Sequence, residues 1–399
     1  MIPRITSALG IMLILGCCYI ISNNRRAIVW PQIFWGIFLQ FMFGILILKT
    51  YPDIVFQFAQ SVFEGLNWYA STGAKFLFGA LTSNTDFTIL SMGAVIIFVS
   101  SIMGMLNYLR ILPATMYILA RVMQKTMRTS GAETMAAAMF VMMGVEVVTA
   151  LKNVLGRLTK SELFTVMTCF MSTIAGSVMA VYVGVFGAKA GHILAASIMN
   201  APAGLVISKM LLPETSVPET QGAWSWRNIT SGDHSLVESA ANGAIDGLKL
   251  TATIAAVLLA FVSCINMING GLGYLGTSFE NLGGYLFAPV AFLLGTPWED
   301  CAKAGELLAL KTFFNEWIAY SRLKIMVSEG AISPRGTMIL TYALCSFANF
   351  GSLAILIGGL SALAPERRSE IAGLGLKSLL AGLLAGFMTA AMAGLLLQS

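Results

Sequence analysis

The chain has 399 residues, of which 57% are hydrophobic and only 11% charged, and its formal net charge is +5. Ordinary soluble domains contain about 25% charged residues, so this composition excludes a soluble globular protein and indicates a chain that crosses a membrane several times. Nucleic-acid binding is not indicated, because the basic residues lie at the ends of apolar segments and form no stripe between aromatic residues.

Eight apolar segments approach the length of about 20 residues that a membrane-spanning helix requires. They are residues 5–22, 33–48, 87–109, 163–186, 193–212, 247–268, 336–361 and 378–397. Residues 51–80 are amphipathic and aromatic, which predicts a helix lying at the membrane interface. The predicted fold class is an all-α polytopic membrane protein with eight transmembrane helices.

The basic residues predict the orientation of these segments. They follow the first, third, fifth and seventh segments and precede the fourth, as in Arg25, Arg26, Arg110, Lys125, Lys160, Lys209, Arg367 and Arg368. Basic loops stay in the cytoplasm, so both termini are expected outside, in a bacterial inner membrane. The polar stretch 213–245 is then a cytoplasmic loop.

Two further apolar segments do not have the pattern of simple spans. Residues 131–156 are interrupted at Gly144 and Glu146 and have basic residues on both sides, so both ends lie on one face of the membrane. Residues 299–327 show the same pattern from the opposite face, around Asn315 and Glu316. Each segment predicts a re-entrant helical hairpin, and interrupted segments at matching places in two halves are typical of a transporter with inverted repeats.

The predicted organisation has four parts. Residues 1–110 form a scaffold of N-terminal spans, interfacial helix and third span. The first hairpin repeat and its following spans occupy 111–212, and the cytoplasmic loop is 213–245. Residues 246–399 contain the sixth span, the second hairpin repeat and the C-terminal spans.

The strongest candidate for a functional residue is Glu316. A carboxylate at membrane depth costs several kcal/mol unless it is paired or hydrated, so it either binds a solute or forms a structural ion pair with Lys311. Asn349 lies in "CSFANFGS", where Gly351 favours a helix break. An amide beside a carboxylate suits a solute with neighbouring hydroxyl groups, and the alternative for Asn349 is an interhelical hydrogen bond.

The first half contains a matching Gly/Ser sequence, "STIAGSV" at 172–178, whose unwound backbone could offer carbonyl oxygens to a cation. The two histidines, His192 and His234, have no Cys or carboxylate at ligand spacing, so no metal site is predicted. The sequence shows no phosphate-binding loop and no nucleophile–base pair. It therefore predicts neither an enzyme nor an organic cofactor.

Five stretches together resemble one known family, in order and along nearly the whole chain: "SNNRRAIVW", "MQKTMRTSGAE", "GHILAASIMNAPAGLVISKMLLPET", "LKTFFNEWIAY" and "TYALCSFANFGSLAILIGGLSALAPERRSEIAGLGLKSL". This is the concentrative nucleoside transporter family, in its bacterial eight-span type. The resemblance implies a homotrimer in which each protomer has its own substrate site. It also implies uptake coupled to sodium or protons by an elevator motion.

The resemblance also implies roles for particular residues. In the family, the Asn-Glu pair of the second hairpin and the Phe-Ala-Asn-Phe-x-Ser motif hold the nucleoside, with Glu, Asn and Ser on the ribose. The matching residues are Asn315, Glu316, Phe347, Asn349 and Ser352. All five are present, so the ribose half of the site matches the family.

The base half of the site differs from the family. Its motif Gly-Gln-Ser/Thr-Glu, whose polar side chains hold the base, is here "GVEV" at 144–147. Val145 replaces the Gln, and Glu146 is the remaining polar candidate. The usual base specificity is therefore not expected to carry over.

The coupling ion is predicted from one position. Sodium-coupled members have an Asn four residues before the hairpin Gly, which is here Phe140, or Met139 with a slip of one residue. Neither offers the oxygen ligand that a hard cation prefers, which favours a proton carried by Glu316 or Glu146. Sodium remains the alternative, with Ser177 and Val178 at its site.

The predicted function is an ion-coupled secondary active transporter that imports nucleosides or close ribosylated analogues. The alternatives are a symporter for another small polar metabolite and a channel-like pore. A pore requires a continuous polar path, whereas the polar residues here cluster at the two hairpins, as alternating access requires.

Overall fold

The computed structural model describes residues 2–50, 52–79, 81, 88–144, 146–220 and 232–397. These residues contain eighteen α-helices and no β-strand. Val145, one of the predicted base-binding residues, lies outside the described residues.

The helices in chain order are α1 (Ile2–Ile21), α2 (Trp30–Ile45), α3 (Pro52–Phe78), α4 (Thr88–Tyr108), α5 (Ile111–Met127), α6 (Gly131–Met139), α7 (Glu146–Ala150), α8 (Lys152–Leu155), α9 (Lys160–Ser172), α10 (Gly176–Gly184), α11 (Ala190–Leu211), α12 (Leu236–Gly273), α13 (Phe279–Leu293), α14 (Cys301–Phe313), α15 (Glu316–Ser328), α16 (Pro334–Leu344), α17 (Phe350–Leu363) and α18 (Arg368–Leu396).

Seven helical segments within the described residues are long and apolar enough to cross a membrane. They coincide with seven of the eight predicted spans, which makes the chain a multi-pass membrane protein. The other predicted span, 336–361, consists of the two shorter helices α16 and α17 with a break at 345–349. The span predicted at 163–186 is also broken, between α9 and α10.

Three details differ from the sequence-based prediction. Helices α5 and α13 were not predicted, because polar residues interrupt the apolar pattern of α5 and because the fifteen residues of α13 are fewer than a span requires. The loop predicted at 213–245 ends earlier, since α12 begins at Leu236. Ser235 starts this helix by accepting a hydrogen bond from the Glu238 amide, as a serine N-cap does.

The order of helices repeats along the chain. Helices α4 to α11 and helices α12 to α18 each comprise a long helix, a short helix, an interrupted hairpin, a broken helix and a second long helix. The first long helices of the two copies, α4 and α12, pack along each other, and so do the last ones, α11 and α18. The order of helices supports an internal repeat, while the opposite orientation of its copies in the membrane stays a prediction.

The repeats place most of α6, α9, α10, α14 and α16 in the interior, whereas α15 and α17 bury only one face. Helices α9, α10 and α11 and the part of α18 after Leu380 are almost entirely buried, whereas α1, α2 and α12 present apolar faces outward. Outward apolar faces suit contact with lipid. The Arg4 guanidinium donates a hydrogen bond to the Leu397 carbonyl at 3.3 Å, so these two residues lie on the same side.

Candidate solute-binding site

The second hairpin is shaped by an asparagine cap. Asn315 has an extended backbone, and its side-chain oxygen accepts a hydrogen bond from the Ile318 amide at 3.0 Å. This cap ends the short turn that follows α14, and α15 begins at Glu316. The Glu316 side chain is therefore held at a helix N-terminus, where the helix dipole stabilises a negative charge, and the residue is only 2% exposed.

The break between α16 and α17 also ends at an asparagine N-cap. The Asn349 side-chain oxygen accepts a hydrogen bond from the Ser352 amide at 2.8 Å and starts α17. Its Nδ2 donates to Glu316 Oε2 at 2.6 Å. Two helix N-termini thus converge on one buried carboxylate–amide pair, and the break lies where "CSFANFGS" predicted it.

Lys311 does not pair with Glu316. Its ammonium group is fully buried and donates to the Ala343 carbonyl at 2.8 Å and to Ser346 Oγ at 2.6 Å. Within the described chain no carboxylate lies within ion-pair distance of Lys311. The direct ion pair considered as an alternative is therefore absent, and Lys311 instead ties α14 to the end of α16.

Aromatic rings enclose Glu316 on its other side. The Tyr182 hydroxyl of α10 lies beside the Glu316 carboxylate, and its ring stacks on Tyr320 at 4.3 Å and meets Trp317 edge-on at 5.1 Å. These rings exclude water from the carboxylate. The sequence analysis missed Tyr182 and Tyr320; the spacing of four residues between Glu316 and Tyr320 was the available signal, because such residues share a helix face.

The turn of the first hairpin is held by neighbouring helices. The Val141 carbonyl accepts from Ser197 Oγ of α11, and the Met142 carbonyl accepts from the Gly176 amide of α10, both at 2.8 Å. In the second repeat, the Phe347 amide donates to the Thr173 carbonyl at 3.0 Å. The two broken helices and the first hairpin are therefore joined by main-chain hydrogen bonds.

A cavity of about 500 Å³ lies between the first hairpin, the start of α10, and helices α4 and α12. Gly144, Glu146 and Ser177 line it, and Glu146 is exposed to it. Glu146 Oε2 accepts a hydrogen bond from the Gly144 amide at 2.7 Å. The cavity is in the size range of small-molecule sites.

The structure divides the predicted site residues into two groups. Glu316 and Asn349 form the buried pair, flanked by half-buried Phe347 and Ser352. Glu146 lies at the cavity of the first hairpin, and the groups are neighbours because α7 packs against α17.

The candidate ion-coupling residues lie at the start of α10. Ser177 and Val178 are buried there, one turn from the main-chain break at 173–175. Residues 139–143 carry no side-chain oxygen, so only main-chain carbonyls of the first-hairpin turn could join such a site.

This arrangement of repeated broken helices around a buried polar pair is typical of a secondary transporter. Three family models match the chain: "Na+ dependent nucleoside transporter N-terminus" at residues 9–81, "Nucleoside recognition" at 89–189, and "Na+ dependent nucleoside transporter C-terminus" at 192–394. The chain belongs to the Na+ dependent nucleoside transporter family. This is a family of transporters rather than enzymes.

Individual relatives agree with this assignment. Solute carrier family 28 member 3 of Mus musculus is 36% identical over 97% of this chain, which spans only 58% of that relative's length. The uncharacterized transporter YutK of Bacillus subtilis (strain 168) is 37% identical over 97% of this chain and 98% of its own.

Solved structures of a similar chain include inward-facing and outward-facing conformations. CNTnw in an inward-facing substrate-bound state is 34% identical, with a TM-score of 0.92 and coverage of 98% of both chains. A doubly substituted CNTnw in an outward-facing state is 33% identical, with a TM-score of 0.92 and coverage of 99% of this chain and 97% of its own.

The family assignment corrects one prediction. Its two terminal models are described as Na+ dependent, so the preference for a proton is not supported and sodium is the indicated ion. The prediction gave too much weight to the missing Asn oxygen at Met139 or Phe140. Main-chain carbonyls are also oxygen ligands for hard cations. The amino-acid sequence alone does not show which of these carbonyls could bind an ion.

Proposed function

We propose that the chain is a secondary active transporter that imports nucleosides together with sodium. The observation that carries the proposal is the buried Glu316–Asn349 pair at two convergent helix N-termini. A carboxylate accepts hydrogen bonds and an amide both donates and accepts, so the pair suits the adjacent hydroxyl groups of a ribose. Ser352, Asn315 and Phe347 complete the ribose side of the site.

Alternating access by an elevator motion is part of the proposal. Among the described residues, the buried polar pair and the polar cavity lie at the hairpins and helix breaks, which supports a transporter over a pore. In this proposal the hairpins and broken helices of both repeats move against the scaffold of residues 1–110. The active unit is a homotrimer in a bacterial inner membrane, with both termini outside.

Sodium in this proposal binds between the first-hairpin turn and the start of α10. Main-chain carbonyls near Ser177 and Val178 supply its ligands, because the side chains of 139–143 have no oxygen. Glu316 and Glu146 then contact the solute and do not carry the coupling ion.

Uptake into proteoliposomes tests the proposal. Labelled nucleoside is expected to accumulate against its gradient when sodium is high outside, and to stop when potassium replaces sodium. Accumulation that follows a pH gradient and ignores sodium would overturn sodium coupling. Equilibration without accumulation would favour a pore, and uptake of other polar metabolites but no nucleoside would overturn the substrate class.

A further inference from the structure

Basic side chains from three parts of the chain converge where α18 meets the α1–α2 turn, the start of α9 and the end of α11. The Lys377 ammonium group of α18 donates to the Leu211 carbonyl at 3.1 Å and also to the side chain of Asn23 in the α1–α2 turn. The same group lies 6.0 Å from the ring centre of Phe164, one helical turn after Lys160. The α1–α2 turn adds two arginines, and we call the four residues the basic patch: Arg25, Arg26, Lys160 and Lys377.

Acidic residues do not neutralise the basic patch within the described part of the chain. None of its four side chains there lies within ion-pair distance of a carboxylate. Arg25 donates to two main-chain carbonyls at the end of α1, whereas Arg26 and Lys160 are exposed. The acids closest to them in sequence on α9 and α18, Glu162 and Glu370, are bonded to other residues. The patch therefore has positive charge available to bind an anion.

Exposed aromatic rings indicate that the patch lies at the level of the lipid headgroups. The ring centres of Tyr19 and Trp30 are 6.0 Å apart, and the Arg25 guanidinium lies 5.5 Å from the centre of the Tyr19 ring. Trp30 is 55% exposed, and such Trp and Tyr residues are enriched where a membrane meets water. Farther along α1 and α2 the exposed side chains are apolar, as at Leu13 and Phe34. A molecule with a charged head and apolar chains matches both surfaces.

We propose that the basic patch binds the phosphate headgroup of an anionic phospholipid, whose acyl chains lie against the exposed apolar faces of α1 and α2. Basic residues beside membrane helices attract anionic headgroups in this way. This end of the bundle is the one expected in the cytoplasm, where the membrane surface is negatively charged. The bound headgroup would contact the α1–α2 turn, α9 and α18 together and so stabilise their packing.

Lipid titrations of the purified protein in neutral detergent test the proposal. A ligand that binds only the folded state raises the melting temperature, so the apparent melting temperature is followed against added phosphatidylglycerol or phosphatidylcholine. The half-saturating concentration of phosphatidylglycerol is expected to be lower by on the order of tenfold. The double substitution Arg26→Gln with Lys160→Gln is expected to remove this difference and to leave the response to phosphatidylcholine unchanged.

The matched control is the double substitution Lys152→Gln with Lys303→Gln, which removes the same charge from two exposed lysines outside the patch. It is expected to keep the preference for phosphatidylglycerol, and an equal loss in both double variants would overturn the assignment to the patch. Equal responses of the unaltered protein to the two lipids would also overturn it. Glycerol phosphate has no acyl chains and is expected to stabilise the protein little; stabilisation equal to that by phosphatidylglycerol would overturn a lipid as the ligand.

Discussion

At the scale of single residues, Glu316 is the side chain on which solute binding is expected to depend most. Glu316→Gln keeps the shape and can still accept from Asn349, but it loses the charge. A hydrogen bond to a charged group contributes about 1.5–3 kcal/mol, so nucleoside affinity is expected to fall about tenfold or more in a binding assay on purified protein.

The control for this substitution is Glu329→Gln, at the exposed end of α15. It is expected to bind nucleosides as the unaltered protein does. If Glu316→Gln also keeps normal affinity, the carboxylate does not contact the solute. If Glu316→Gln lowers the thermal stability without changing the affinity, the role of Glu316 is structural.

Lys311 is expected to stabilise the folded protein. Lys311→Met leaves the buried Ala343 carbonyl and Ser346 hydroxyl without their donor, and an unsatisfied buried polar group costs about 1–3 kcal/mol. The apparent melting temperature in detergent is expected to fall by several degrees. Lys303→Met, on the exposed face of the same helix, is expected to change it little, and equal effects would contradict the assignment.

At the scale of helices, a buried ion pair joins the first hairpin to the rest of its repeat. Lys209 of α11 bonds to Glu133 of α6 at 2.6 Å and to Ser161 of α9 at 2.9 Å. Both charged side chains are at most 3% exposed. This contact holds three helices together near the base of the hairpin.

Removing one partner of this pair is expected to be costly. Breaking a buried ion pair typically destabilises by about 3–5 kcal/mol, so Lys209→Met is expected to lower the apparent melting temperature strongly. The matched control is Arg157→Gln, which breaks the exposed Arg157–Glu219 pair; such pairs contribute about 0–1 kcal/mol. Similar melting temperatures for the two variants would show that the buried pair does not anchor the hairpin.

The helix pattern also shows what the sequence could predict and what it could not. Long apolar segments and the Asn and Gly residues that interrupt them predicted the spans, the hairpins and the break at Asn349, because each is a local signal. Helix α5 was missed because its polar residues interrupt the apolar pattern, and α13 was missed because it is shorter than a span. The partners of Lys311 are a main-chain carbonyl and a serine of another helix, and no spacing along the chain indicates such contacts.

At the scale of the whole molecule, the orientation in the membrane can be measured. Val217 and Tyr274 are 79% and 94% exposed, in loops expected on opposite faces. In a background where the exposed Cys17 and Cys264 are replaced by alanine, Tyr274→Cys is expected to react with an impermeant thiol reagent added outside. Val217→Cys is expected to react only after the cells are opened, and the reverse pattern would place both termini inside.

The hydrogen bonds that join the broken helices and the first hairpin have a consequence for how this fold tolerates change. They connect the Phe347 amide to the Thr173 carbonyl and the Gly176 amide to the Met142 carbonyl. Substitution exchanges side chains but leaves these atoms in place, unless proline removes the amide hydrogen. Sequences can therefore diverge widely while these main-chain hydrogen bonds persist. A mutational scan that only exchanges side chains would leave the bonds intact and would underestimate how much they contribute to the fold.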